Sequence, residues 1–286
     1  MLQNRATLKQ IRFHLLSELR QIYTENESDS IVRLIMEHVA YPLSVSLRDP
    51  DHVPGPAVAA QINALIDEIR TGLPIQYILG QTYFCDLKIE VDKRVLIPRP
   101  ETEEMVEHIR VLAKEPIHRI IDLGTGSGCI ALALKRNFPE AEVWGVDNSM
   151  GALSVAGVNS TNNKLEVNWG KMDLLNQLPE THWSTFDLVV SNPPYVMNSE
   201  RAIMPHNVKG FEPQSALFVE DDDPLIFYRA IASFCKLHLS DSGEVWVEIN
   251  EQLGKETSVL FKKEGFSSVQ ILRDIHEKER FINARR

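Results

Sequence analysis

Apolar residues recur every three or four positions through the first eighty residues of the chain. Leu8, Ile11, Leu15, Leu19 and Ile22 form one such stripe, the pattern of a helix with one face in a core. Thr7, followed three places later by Gln10, is a capping-box pair that would start it. Ile31, Leu34, Ile35, His38 and Val39 repeat the spacing, and so do Val58, Ile62, Leu65, Ile66 and Ile69, which Gly72 and Pro74 stop. His38, lying on its stripe, reads as a core or boundary histidine and not as a ligand. The Pro50–Pro56 stretch reads as a loop between helices. Together these predict a small helical bundle over residues 1–80.

The period then shortens to two. Phe84-Cys85-Asp86-Leu87-Lys88-Ile89-Glu90-Val91 alternates in character, which predicts a strand or hairpin in a linker over 81–95. From residue 118 strand-like and helix-like runs take turns. RIIDLG precedes CIALALKRNF, AEVWGVD precedes SMGALSVAGVNS, and LEVNWG and FDLVVS follow. PLIFYRAIASFCKLHL and GEVWVEI come next, then a helix from about Glu251 to Lys263 and two strands near Val269 and Phe281. Alternation of this kind predicts an α/β domain over 96–286, a parallel sheet with helices on both faces.

Composition narrows the function classes. No apolar run reaches the roughly eighteen residues that a membrane helix needs. Charges interrupt the N-terminal segment MLQNRATLKQIRFHLLSELRQIY, unlike the apolar core of a secretory signal. Cys85, Cys129 and Cys235 are far apart with no CxxC pair, which argues against zinc and disulfides and fits a reducing compartment. A cytoplasmic protein without membrane contact and without a metal is expected. Its net charge is −10, whereas proteins that grip nucleic-acid phosphates usually present a basic face.

Two stretches carry candidate chemistry. Gly124-Thr125-Gly126-Ser127-Gly128 joins the first strand of the sheet to a helix. Glycines there let the backbone turn sharply and come close to a ligand, at the crevice where such sheets bind. Asp147 ends the next strand, where a carboxylate can accept from both ribose hydroxyls. The plainer reading is a tight turn and a helix cap. Loop and acid together point to a nucleoside-type ligand. A dinucleotide loop reads GxGxxG, and here Cys129 takes the last glycine's place. GxGxG suits S-adenosylmethionine, which has no pyrophosphate, better than NAD.

The second stretch is Asn192-Pro193-Pro194-Tyr195, which follows FDLVVS. A residue before proline is held extended, and proline fixes its own φ. The Asn192 side chain and the Pro193 carbonyl therefore offer two acceptors in a preset geometry, one for each N–H of an NH₂ group on a flat conjugated system. Tyr195 is read as an apolar wall for that group. Fixed acceptors stabilise the positive charge a nitrogen gains as a methyl arrives. A rigid exit turn is the plainer reading of the prolines.

These motifs resemble the release factor glutamine methyltransferases (the HemK/PrmC family) over nearly the whole chain. PIQYILG at 74–80, VLIPRPETE at 95–103, DLGTGSGCIALAL, the Asp147 stretch, DLL at 173–175, SNPPY and EPQSAL at 212–217 fall in that family's order. The resemblance implies a Rossmann-like S-adenosylmethionine-dependent methyltransferase sheet with an N-terminal helical domain that recognises substrate. It implies methyl transfer to the glutamine of the GGQ loop in class 1 peptide chain release factors, with no direct nucleic-acid partner. Gly124, Thr125, Gly126, Ser127, Gly128 and Asp147 would hold the cofactor, which Asn192 would also touch, and Asp173 and Leu174 would border its adenine. Asn192, Pro193, Pro194 and Tyr195 would hold the glutamine, with Asn192, Pro193 and Tyr195 as the catalytic residues. Arg99 and Glu101 are expected to be structural or at the pocket edge. Two departures stand out. Phe218-Val219-Glu220-Asp221-Asp222-Asp223-Pro224 replaces a glycine-rich stretch, its acids read as a solvated turn capping the next helix or as a surface for a basic substrate. Asn250 stands where the family commonly has glycine. NPPY also serves enzymes that methylate base amino groups, so a nucleic-acid aminomethyltransferase and a non-catalytic nucleoside- or NAD-binding module are the rival readings.

Overall fold

A computed structural model of the chain describes residues 5–112, 116–176, 183–204 and 206–286. The chain folds into two compact units, Met1–Gly80 and Gln81–Arg286.

The first unit is helical: α1 (Leu8–Leu19), α2 (Glu25–His38), α3 (Leu43–Arg48), α4 (Pro56–Arg70) and α5 (Ile75–Leu79). Thr7 and Gln10 form the expected capping box at α1, and Thr24 with Glu27 forms another at α2. Leu8, Ile11, Leu15, Ile35, Ile62 and Ile69 are among the residues that make the unit's core. Two expectations change. Ile22 lies beyond the end of α1 and is exposed. His38 is exposed in the last turn of α2, where Val32, Ile35 and Met36 take the inward face.

The second unit opens with a hairpin, β1 (Gln81–Phe84) and β2 (Leu87–Glu90), whose two-residue turn places Cys85 and Asp86 at φ 46° and 57°. Non-glycine residues seldom adopt two successive left-handed conformations. Here the turn is held from both sides, since Glu103 accepts from the Cys85 N–H at 2.8 Å and Arg136 donates to the Cys85 carbonyl at 2.9 Å. Then follow α6 (Pro100–Leu112), β3 (Arg119–Leu123), α7 (Cys129–Asn137), β4 (Glu142–Asp147), α8 (Met150–Asn163), β5 (Asn168–Lys171) and β6 (Phe186–Ser191). The remaining elements are β7 (Val196–Met197), α9 (His206–Phe211), β8 (Phe218–Val219), α10 (Ile226–His238), β9 (Leu239–Glu248), α11 (Gly254–Lys263), β10 (Ser268–Arg273) and β11 (Glu279–Arg285).

Seven strands make one sheet in the order β10-β11-β9-β6-β3-β4-β5. The five from β9 to β5 run parallel. β11 is antiparallel to both β9 and β10, so the expected parallel sheet gains an antiparallel edge. Alternation along β3 sends Ile121 and Leu123 into a core with Tyr228, Ile231 and Phe234 of α10 and Phe261 of α11. The opposite face carries α6, whose His108 stacks on Trp246 of β9. Burial on both faces is why FDLVVS reads as a continuous apolar run and not as alternation. The chain leaves β3 toward β4 on one side and later returns to β6 on the other. The carboxyl ends of β3 and β6 therefore flank the switch point where such sheets bind ligands.

Candidate active site

A cavity of about 500 Å³ opens at that edge. Gly124, Thr125, Gly126 and Ser127 line it from the β3–α7 loop, with Asp147, Asp173 and Leu174 from the ends of β4 and β5 and Asn192, Pro193 and Pro194 from the end of β6. Two of the residues expected at the site stand elsewhere. Gly128 is not on the cavity wall. A Cβ there would meet Trp169 Cη2 at 2.8 Å and Ala156 Cβ at 3.0 Å, so this glycine serves close packing of the loop on α8 and β5. Tyr195 also lies off the wall. Its hydroxyl turns inward and donates to Glu248 at 2.8 Å, which anchors the half-buried ring at its tip.

The glycine loop is left-handed at Gly124, Gly126 and Gly128, with φ of 77°, 55° and 81°. Side chains at the first two would meet no protein atom within 4 Å. The loop thus keeps its backbone open toward a ligand at those positions. Asp147 does not cap α8, because Ser149 does. Its carboxylate accepts from the Gly126 N–H at 2.9 Å and the Ser149 N–H at 2.8 Å. It clips the loop to β4 while lying on the cavity wall. Burial raises its pKa above the usual carboxylate range, opposed by those N–H groups. Asp173 is held below that range by the Asn176 side-chain amide. Behind the loop, Asn159 of α8 donates to the Ser127 carbonyl at 2.9 Å and exchanges bonds with the Glu90 backbone.

Asn192-Pro193-Pro194-Tyr195 is braced along its length. Ser191 donates to the Leu123 carbonyl at 2.6 Å. The Asn192 Nδ2 donates to Thr102 Oγ1 at 3.0 Å, and Thr102 donates to Glu248 Oε2 at 2.7 Å. Asn250 Nδ2 donates to the Tyr195 carbonyl at 3.2 Å and to Glu200 at 2.8 Å. The residue in the usual glycine position is therefore a support for the motif. The acidic run does not cap α10, whose N-cap has no side-chain bond. Glu220 accepts from Asn198, and Asp221 from the Ser199 N–H and hydroxyl, so these acids latch the turn that follows the motif.

PRPETE is a junction. Arg99 lines the cavity and donates to the buried Glu212 at 2.6 Å, and Glu212 also accepts from the Ile97 N–H. EPQSAL thereby docks against this segment, and its Pro213, Ser215 and Ala216 join the wall. Glu101 is half-buried. Phe227 of α10 and Met172 also line the cavity. Neither is marked by any motif, since a lone Phe or Met in an apolar run signals only a core. Among the described residues no group of His, Cys, Asp and Glu is placed to hold a metal ion, and no helix is long and apolar enough to cross a membrane.

Residues 102–208 match the family model described as a methyltransferase small domain. The chain is 37% identical to the release factor glutamine methyltransferase of Flavobacterium psychrophilum, covering 96% of this chain and 98% of that protein. It is 38% identical to the enzyme of the same name from Bacteroides thetaiotaomicron, over 79% of this chain and 81% of that one. Among solved structures it resembles a methyltransferase from Pyrococcus furiosus, with TM-score 0.52, 18% identity and coverage of 69% of this chain and 88% of that one. The 16S rRNA N2 G1207 methyltransferase of Thermus thermophilus gives TM-score 0.52 and 20% identity over 72% of this chain and 50% of that one. These last two are likenesses of fold.

Proposed function

The chain belongs to the release factor glutamine methyltransferase family, and on that premise we propose that it moves a methyl group from S-adenosylmethionine to the side-chain amide nitrogen of the glutamine in the GGQ loop of class 1 release factors. The observation that carries the proposal is the placement of Asn192 and Pro193 on the same cavity wall as the glycine loop and Asp147.

The residues present fit this cofactor. Gly124 and Gly126 leave the loop backbone uncovered, and Asp147 offers a carboxylate pinned by two N–H groups. A ribose edge would meet that carboxylate, and Leu174 beside Asp173 would border the adenine. When bound, S-adenosylmethionine would supply an electrophilic methyl group on a sulfonium centre, its S–CH₃ bond breaking as the N–CH₃ bond forms to leave S-adenosylhomocysteine.

The protein's own work is to prepare the amide nitrogen. That nitrogen is a poor nucleophile because its lone pair is delocalised into the carbonyl. Asn192 and the Pro193 carbonyl accept its two N–H groups and hold its orientation. The same acceptors stabilise the positive charge that builds on nitrogen. The braces on Ser191, Asn192 and Tyr195 preset this geometry, so little ordering remains at the moment of reaction. The nitrogen's proton leaves afterwards, when its acidity has risen, and no strong base is needed. Cys129, on the same wall, has its thiol pushed up to about 12 by burial and stays neutral, so it is no rival nucleophile.

The helical first unit takes the role of docking the release factor, and the compartment is the cytoplasm, where translation ends. Radiolabelled methyl donor, offered in parallel to an intact release factor, to that factor with its GGQ glutamine replaced, and to DNA, tests the proposal. Label on the native factor alone is expected. Equal label on the two factors refutes it, and preferential label on DNA would favour a nucleic-acid aminomethyltransferase.

A further inference from the structure

We propose that Thr102 and Glu248 are positioning residues that fix which end of the Asn192 amide faces the substrate. This rests on the reading of Asn192 as an acceptor for the substrate amide. The two ends of an asparagine amide have nearly the same shape, and only their hydrogen-bond partners distinguish them. If the NH₂ end faced the cavity, it would set donors against the donors of the incoming NH₂ group. Something must forbid that arrangement, and the network behind Asn192 does so.

Glu248 ends β9, beside β6, and is buried. Its two oxygens take one hydroxyl each, Tyr195 on Oε1 at 2.8 Å and Thr102 on Oε2 at 2.7 Å. An ionised carboxylate only accepts, and a hydroxyl has a single proton to give. Thr102 must therefore spend its proton on Glu248, which leaves Oγ1 only lone pairs. Whatever meets Oγ1 from the other side has to be a donor. The group that meets it, at 3.0 Å, is Nδ2 of Asn192. With Nδ2 committed, Oδ1 is the end left to accept from the substrate. The polarity passes from carboxylate to hydroxyl to amide, and each link is fixed by the donor count of the one before.

Burial pushes the Glu248 pKa up and the Glu101 carboxylate of α6 adds to this, while the Thr102 and Tyr195 hydroxyls and the Arg280 guanidinium of β11 favour the ionised form that accepts both hydroxyls. Tyr228 of α10 donates to the Glu248 backbone carbonyl and leaves both carboxylate oxygens to the relay. The network also gives Tyr195 a use from its inward position. By occupying Oε1 it leaves Oε2 for Thr102.

The test is steady-state methylation of an intact class 1 release factor by the full chain and its variants, with cofactor affinity and melting temperature measured for each. Thr102→Val keeps the shape and removes the hydroxyl, so the Asn192 NH₂ loses its partner. A fall in kcat of about ten- to a hundredfold is expected, the scale of a buried donor left unpaired, with cofactor Kd unchanged. Thr102→Ser, which keeps the hydroxyl, should recover most of the rate. Native kcat in Thr102→Val, while Asn192→Ala is slow, overturns the relay and leaves the reading of Asn192 intact. Failure of Thr102→Ser to recover, with its fold preserved, also overturns the relay, because the methyl and not the hydroxyl would then matter. Native kcat in Asn192→Ala overturns the underlying reading itself. Should Thr102→Val not fold, Glu248→Leu decides. It removes the acceptor of the Thr102 proton, so that hydroxyl can donate to the Asn192 oxygen and turn the amide round; kcat should fall with cofactor affinity kept, and a native rate would overturn the proposal.

Discussion

Asp147 is the residue whose loss separates a cofactor pocket from an ordinary loop clasp. Its carboxylate already accepts from Gly126 N–H at 2.9 Å and Ser149 N–H at 2.8 Å. Each oxygen keeps a further lone pair for a ribose hydroxyl. Asp147→Ala removes those acceptors and frees the Gly126 N–H, so the loop loses its tie to β4 at a position with φ of 55°. A hydrogen bond to a charged group contributes about 1.5–3 kcal/mol, and the half-buried setting, where water can partly compensate, keeps the expected loss within that range. Kd for S-adenosylmethionine should therefore rise roughly 10- to 150-fold. Asp147→Asn should recover little, because its NH₂ would face one of the two N–H donors. Isothermal titration calorimetry at neutral pH, with circular dichroism to confirm folding, reads the effect. A pH series adds a second reading. Burial holds the native carboxyl above its usual pKa, and the ionised form is the one that accepts from both hydroxyls. Affinity should weaken as pH falls through that raised pKa, and the alanine variant should show no such step. Unchanged Kd in a folded Asp147→Ala would refute the assignment of the cofactor to this pocket.

Asn192→Ala should leave cofactor Kd intact while lowering turnover about 10²–10³-fold, as loss of one polar group at a reacting centre does, checked by calorimetry and initial rates. Gly128→Ala should destabilise the fold by roughly 1–3 kcal/mol, since its Cβ would press on Trp169 and Ala156 at a φ of 81°; urea denaturation measures this. Asp122 predicts a pH dependence of stability. Burial raises its carboxyl from 3.8 to about 7, against the Thr125 hydroxyl bond that lowers it. Between roughly pH 4 and 7 the folded state holds a proton that the unfolded state has released, so stability falls as pH rises through that window and levels above it. At about 1.4 kcal/mol per pH unit the full effect is on the order of 4 kcal/mol. Asp122→Asn should flatten this part of the stability–pH curve, and melting scans across the window check it.

What was legible in the sequence was local or periodic. The Thr7–Gln10 box, the apolar stripes of α1, α2 and α4, the hairpin and the strands from β3 to β6 follow from spacing within a few residues. Gly124, Gly126, Asp147, Asn192 and Pro193 share one wall because strand ends of a doubly wound sheet share one edge. What escaped was set by partners far along the chain. Tyr195 finds Glu248 53 positions away, and no local pattern announces a buried carboxylate. Asn250 supports the Tyr195 carbonyl across 55 positions. Helix α6 hides behind the prolines of PRPETE, although Thr102, Met105, Val106 and Ile109 lie on its buried face. The direction of β11 is also invisible, because a buried strand reads the same in either sense. Gly128 looks like its two neighbours in the loop. Only the nearness of Trp169 marks it as a packing glycine.

In the proposed reaction two fixed acceptors present a glutamine amide nitrogen to a methyl donor. Mass-spectrometric mapping of a release factor treated with the enzyme and S-adenosylmethionine tests it most directly. One methyl group on the side-chain nitrogen of the GGQ glutamine, present with the native enzyme and nearly absent with Asn192→Ala, is expected. A methyl group on any other residue, or the same mark formed at the native rate by Asn192→Ala, would contradict it.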